Sequence, residues 1–166
     1  MAAGTNKTKD FSNEVRDLIG NISGCFESYE RACGTYMGVT TSQAGAILAF
    51  PLKDGLTMNE LSKAVSLEIS TMTRMVDQLV EKGLVERQTD AKDRRVVRVG
   101  LTEEGRKLHK RLEDALQSFY TSALNKFPKE EQREIIKNLQ HIFTAVSTSL
   151  DECCKKYCQP VGEKSA

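Results

Sequence analysis

The stretch that most constrains this chain is residues 69–83. Met72, Met75, Val76, Leu79 and Val80 recur there at the i, i+3, i+4, i+7, i+8 spacing of one buried helix face. The opposite face carries Ser70, Thr71, Thr73, Arg74 and Gln78. Short hydroxyls, one guanidinium and one amide are poor core material, but they are the side chains that hydrogen-bond phosphates and base edges in a DNA major groove. A helix divided in this way predicts a DNA-reading element. Ser70 and Thr71 have a second use, capping the helix. Helix N-termini also bind phosphate, so the two roles coexist.

The flanking segments extend the pattern. Thr57 and Glu60 have the spacing of a capping box, opening a short helix that should bury Met58, Leu61, Ala64 and Val65. Ser66, Leu67 and Glu68 form the turn into the second helix, a helix-turn-helix layout. Gly83 stands where a helix C-cap glycine belongs. Residues 84–88 and 96–99 read as two strands around a polar loop. From Lys92 to Arg98 there are four positive residues (Lys92, Arg94, Arg95, Arg98) and one negative (Asp93), a local charge of +3 in a chain of net +1. A basic hairpin tip beside a helix-turn-helix suits a minor groove or phosphates.

Three groups of residues, in this order, resemble the multiple-antibiotic-resistance-regulator (MarR) family of winged-helix transcription regulators. They are Ser70, Thr71, Arg74, Val76, Asp77, Leu79, Val80, Gly83, Leu84 and Val85; then Asp90, Asp93, Arg94 and Arg95; then Leu101, Thr102 and Gly105. The resemblance implies a mainly α (α+β) fold, a winged helix-turn-helix core with long N- and C-terminal helices forming a dimerisation domain. The whole chain, 1–166, is then one MarR-type domain, with dimerisation helices over about 9–38 and 108–158 and a winged-helix lobe over about 40–105. It also implies that one wing aspartate braces the loop while an arginine enters the minor groove. By position these are Asp93 for bracing and Arg95, with Arg94 beside it, for DNA.

The remaining segments read as helices. Apolar residues recur over 11–33, and Gly34 and Gly38 interrupt the pattern. Thr40 and Gln43 make a second capping box, before a helix with Ile47, Leu48 and Phe50 that Pro51 ends. A long helix runs after Thr102 through Leu108, Leu112, Ala115, Leu116, Phe119 and Ala123 to Phe127, where Pro128 breaks it. A last helix carries Ile135, Ile136, Leu139, Ile142, Phe143, Val146 and Leu150. A stripe from Leu108 to Phe127 spans about 30 Å, more than a winged-helix lobe covers. A homodimer would bury the surplus and set two recognition helices about 34 Å apart on a near-palindromic double-stranded operator.

Composition narrows the function. With 166 residues, one domain is expected, with no room for a separate catalytic one. The 28% of charged residues predict a soluble protein, and no membrane span or signal peptide is legible, so a cytoplasmic location is expected. The only histidines, His109 and His141, have no Ser or Cys partner at a motif spacing, and no phosphate-cradling glycine loop occurs. Neither an enzyme nor a cofactor is expected. Five cysteines in such a chain are expected to be reduced thiols. Cys25 and Cys33 lie on the first helix and Cys153, Cys154 and Cys158 end the last, as packing residues or as a redox or metal site. Hydroperoxide-sensing members of the family use a first-helix cysteine near tyrosines, and Tyr29 follows Cys25 by one turn. Zinc-sensing members use a histidine-rich run in the fifth helix, where this chain has only His109. The expected function is a dimeric repressor released from its operator by a small-molecule effector. The alternatives are a thiol- or metal-responsive regulator on the same scaffold, and a winged-helix protein-interaction module that binds no operator.

Overall fold

Backbone chemistry sets the element boundaries. The computed structural model describes residues 3–53, 55–90, 93 and 96–157, with the backbone alone at 3–10, 151 and 155–157. In chain order the elements are α1 (Ala3–Tyr36), α2 (Thr41–Ala49), β1 (Leu56–Thr57), α3 (Met58–Ala64), α4 (Ile69–Glu81), β2 (Val85–Thr89), β3 (Val97–Leu101), α5 (Glu103–Leu124) and α6 (Lys129–Tyr157). This is a mainly α winged helix with a small antiparallel sheet in the order β1-β3-β2. The chain divides into two compact units, Met1–Ser118 and Phe119–Ala166, with the boundary inside α5.

Both capping boxes form. Thr40 and Gln43 exchange side-chain-to-backbone hydrogen bonds at α2, and Thr57 and Glu60 do so at α3. Phe50, before Pro51, is extended at ψ 135 and ends α2. Gly83, at φ +69, closes α4. The core of the first unit is built on Ile47, Leu61, Met72, Val76, Leu79, Val85 and Val99, all fully buried. Each such side chain contributes about 1.5–3 kcal/mol by leaving water. This core joins α2, α3, α4 and the sheet, so the orientation of α4 is fixed from three sides.

Several expectations shift. Gly34 does not interrupt α1, which runs to Tyr36. A Cβ at Gly34 would lie 2.8 Å from the Val39 carbonyl, so this glycine admits the following loop against the helix. Ala64 is exposed, while Leu61 and Ser62 are buried and Val65 is half-buried against the core. Val80 is 38% exposed, at the edge of the buried stripe. The strands lie one to two residues later than expected, and β1 is an addition: Leu56 pairs with Val99 and Thr57 with Arg98. The α5 helix ends at Leu124, not Phe127. Lys126 and Phe127 instead make i→i+3 bonds back to Ala123 and Leu124. Gln132 Nε2 donates to the Leu124 and Phe127 carbonyls, satisfying that helix end.

Candidate nucleic-acid interface

The turn into α4 is tight. Ser66 adopts φ 53 and the Leu67 N–H donates to the Ser62 carbonyl at 2.9 Å. The N-cap, Glu68, makes no side-chain cap bond, which leaves the first backbone N–H groups of α4 without that partner. Met72, Met75, Val76 and Leu79 are buried, while Ser70, Thr71, Thr73, Arg74 and Gln78 are all exposed. The structure therefore brings the five α4 candidates onto the outer side of one helix anchored by its inner side.

Their hydrogen bonds differ. Among the described residues no hydrogen bond or ion pair engages the Arg74 guanidinium, so its charge and its fork of donors face outward. The Thr73 hydroxyl donates to the Ile69 carbonyl at 2.8 Å, which leaves its oxygen to accept. Gln78 is tied inward, its Oε1 accepting from Gln43 Nε2 at 3.0 Å. Gln43 Oε1 in turn accepts from Lys82 Nζ at 3.1 Å and from the Thr40 N–H at 3.2 Å. Lys82 Nζ also donates to the Gly38 carbonyl at 2.7 Å. Ile69 is 49% exposed beside this face.

The wing is built on β2 and β3, paired from Val85–Leu101 to Thr89–Val97. Arg94 and Arg95, with Lys92, lie outside the described residues. At the wing base, Asp90 Oδ2 accepts a short hydrogen bond from Arg98 Nε, and Asp90 Oδ1 accepts from the Asp93 N–H at 3.1 Å. Arg98 also donates to the Gly55 carbonyl at 3.0 Å and faces Glu60 at 3.6 Å. Arg98 is thus a brace and not a free wing cation. Its aspartate partner is Asp90, while exposed Asp93 bonds Asp90 through its backbone. Bonds from the Thr57 backbone N–H and hydroxyl, with a smaller contribution from Arg98, hold the Glu60 carboxyl below its ordinary value. A second brace joins α4 to the wing, Arg87 to Asp77 at 2.6 Å.

Cys25, Cys153 and Cys154 are exposed, Cys33 is half-buried, and Cys158 lies outside the described residues. No three potential ligands among the described residues come together to hold a metal. Cys33 contacts the Tyr29 hydroxyl, and that contact, followed by burial, holds the phenol above its ordinary value. The same hydroxyl donates to the Ala115 carbonyl at 2.9 Å. Cys33 also lines a small cleft of about 70 Å³ with Glu30, Ala44, Leu48, Leu112 and Leu116.

Sequence reasoning missed Asp90 and Arg98 as a pair, Asp77 and Arg87 as a pair, and the Gln43–Lys82 chain. Each left one member in view, Asp90 at the start of the wing motif, Asp77 among the residues of the α4 motif and Gln43 in the second capping box, but no partner. No described helix is long and apolar enough to cross a membrane.

Residues 53–97, from the approach to β1 through α4 and the wing, match the sequence profile of the MarR family. The fold is similar to a MarR transcriptional regulator from Methanosarcina mazei Go1, 26% identical with a TM-score of 0.66, over 82% of this chain and 98% of that one. It is also similar to MepR of S. aureus in its complex with DNA, 24% identical with a TM-score of 0.64, over 78% of this chain and 96% of that one. The S. aureus MepR structure bound to ethidium bromide is 23% identical with a TM-score of 0.60, over 79% and 95% of the two chains.

Proposed function

We propose that this chain, a MarR-family winged-helix transcription regulator by its sequence profile and fold, binds a near-palindromic duplex as a homodimer and is released from it by a small-molecule effector. The observation that carries the DNA surface is the division of α4. Four buried apolar residues hold it while Ser70, Thr71, Thr73 and Arg74, which has no partner among the described residues, face outward. Hydroxyls and a guanidinium in that arrangement suit phosphates and base edges. Arg94 and Arg95 are assigned to the wing contact with the minor groove by their place in the sequence. The MepR–DNA complex supports the same use of the fold.

Two exposed apolar stripes support the homodimer. On α1 they are Phe11, Val15, Leu18, Ile19 and Ile22; on α6 they are Ile136, Leu139, Ile142, Phe143, Val146 and Leu150. Apolar area of that extent is seldom left to water. The cleft beside α2 supports the effector. Its wall is apolar apart from Thr41, the Cys33 thiol and the Glu30 carboxylate, which suits an amphipathic molecule bearing a positive group. The ethidium-bound MepR structure is in keeping with such a ligand. A second reading, a thiol-responsive regulator, is favoured by the contact of Cys33, which lines that cleft, with Tyr29.

The test is selection from a random duplex library by the purified protein. The expected product is an inverted repeat whose half-sites lie about one helical turn apart. Recovery of no enriched sequence would leave the interaction-module reading in its place. Addition of oxidant or of an aromatic cation to the selected complex then separates the two effector readings.

A further inference from the structure

The bonds around Gln43 fix which end of the Gln78 amide faces outward. Lys82 Nζ and the Thr40 N–H are donors only, and both point at one atom of the Gln43 amide, at 3.1 and 3.2 Å. That atom is therefore the oxygen. The Gln43 nitrogen is then the atom 3.0 Å from Gln78, and what it meets there must be an acceptor, Gln78 Oε1. Gln43 is 5% exposed, so water does not compete freely for these bonds. The Gln78 nitrogen, with two N–H donors, has no partner among the described residues and belongs to an exposed side chain on the outer side of α4.

We propose that Gln78 is a donor-only DNA-contact residue, whose outward Nε2 donates to an acceptor on bound DNA, and that Gln43 is the positioning residue that sets this polarity. The inference rests on the DNA-binding reading of α4. A glutamine reading adenine in the usual bidentate way needs its oxygen for the adenine N6 amine and its nitrogen for N7. With its oxygen turned toward α2, Gln78 does not complete that pair. The matching acceptors are guanine O6 or N7, thymine O4 or a phosphate oxygen.

The experiment compares wild type, Gln78→Leu and Gln43→Glu on duplexes selected by wild type, each variant first shown to be folded by its melting transition. Gln78→Leu removes the donor and should weaken binding roughly tenfold. In Gln43→Glu the carboxylate still accepts from Lys82 and Thr40 but has no proton to give Gln78. The Gln78 amide then turns, donating inward and presenting its oxygen outward. If the partner is a base, the preference at one position per half-site moves from guanine or thymine to adenine or cytosine. If it is a phosphate, affinity falls for all sequences alike, and a single methylphosphonate costs wild type affinity but not Gln43→Glu. Either result supports the proposal. Should Gln43→Glu not fold, Gln78→Glu reverses the polarity directly, and wild-type affinity and preference in it would overturn the proposal. Wild-type behaviour in both folded Gln78→Leu and Gln43→Glu overturns it while leaving the DNA-binding reading intact. Wild type that selects no duplex overturns both.

Discussion

A Cβ on Gly105 would lie 1.9 Å from the Leu84 carbonyl oxygen, so the first turn of α5 and the end of the α4–β2 connection are packed backbone to backbone. Thr102 stitches the same corner. Its N–H donates to the Leu84 carbonyl at 3.1 Å, its hydroxyl donates to the Gly83 carbonyl at 2.7 Å, and its oxygen accepts from the Gly105 N–H at 3.0 Å. Gly105→Ala must push this corner apart and is expected to cost more than about 3 kcal/mol in urea unfolding. A loss below about 1 kcal/mol would show that the corner yields cheaply.

The second prediction concerns the wing brace. Asp90, whose side chain is 12% exposed, and Arg98 bond each other at the base of the hairpin. Asp90→Ala leaves Arg98 without its main partner and should destabilise the unit by about 1–3 kcal/mol. The two single variants and Asp90→Ala with Arg98→Ala form a cycle with an expected coupling of about 0.5–3 kcal/mol. Additive losses would mean that the pair does not act as a brace.

Much of this unit was legible because its rules are local. The Thr40–Gln43 and Thr57–Glu60 boxes, the Gly83 cap and the buried face of α4 all depend on spacings of a few residues. The losses came where partners meet through the fold. Arg98 reads as a wing cation until β3 pairs with β1 and places it opposite Thr57, beside Glu60 and Gly55. A two-residue strand such as β1 has no alternation to detect. Gln43 and Lys82 are separated by 39 positions, and no periodicity links them. Arg74 was legible as a candidate because a charge opposite an apolar stripe must face outward; the absence of an ion pair among the described residues needed coordinates.

The third prediction is a pH dependence. Glu60 has its carboxyl held below the ordinary value by Thr57, so the folded state binds this proton less readily than the unfolded state. The resulting stabilisation is fully present above the unfolded value of about 4.3. It is lost as pH falls through the lower folded value. Glu60→Gln keeps the capping geometry but carries no charge. Wild type should melt higher than Glu60→Gln at neutral pH, and the gap should close on acidification. A gap constant from neutral pH to acid would remove the charge from the account.

The fourth prediction concerns assembly. Leu139 is 55% exposed and Phe143 72% exposed on one side of α6. Sedimentation should find wild type as a dimer, and Leu139→Glu with Phe143→Glu should move it toward monomer or aggregate. A wild type that sediments as a monomer throughout the micromolar range would contradict the dimer.

The most direct test of the central claim is the salt dependence of binding by wild type and Arg74→Ala to a duplex selected by wild type, followed by fluorescence anisotropy. If α4 presents its hydroxyl and guanidinium side to DNA, wild-type affinity falls by orders of magnitude between about 50 and 200 mM salt, as several phosphates per dimer are neutralised. Arg74→Ala then binds about 1–3 kcal/mol more weakly if it reads a base edge, with an unchanged melting temperature. Salt-insensitive binding, or an Arg74→Ala protein that binds the same duplex as tightly as wild type, would contradict the account.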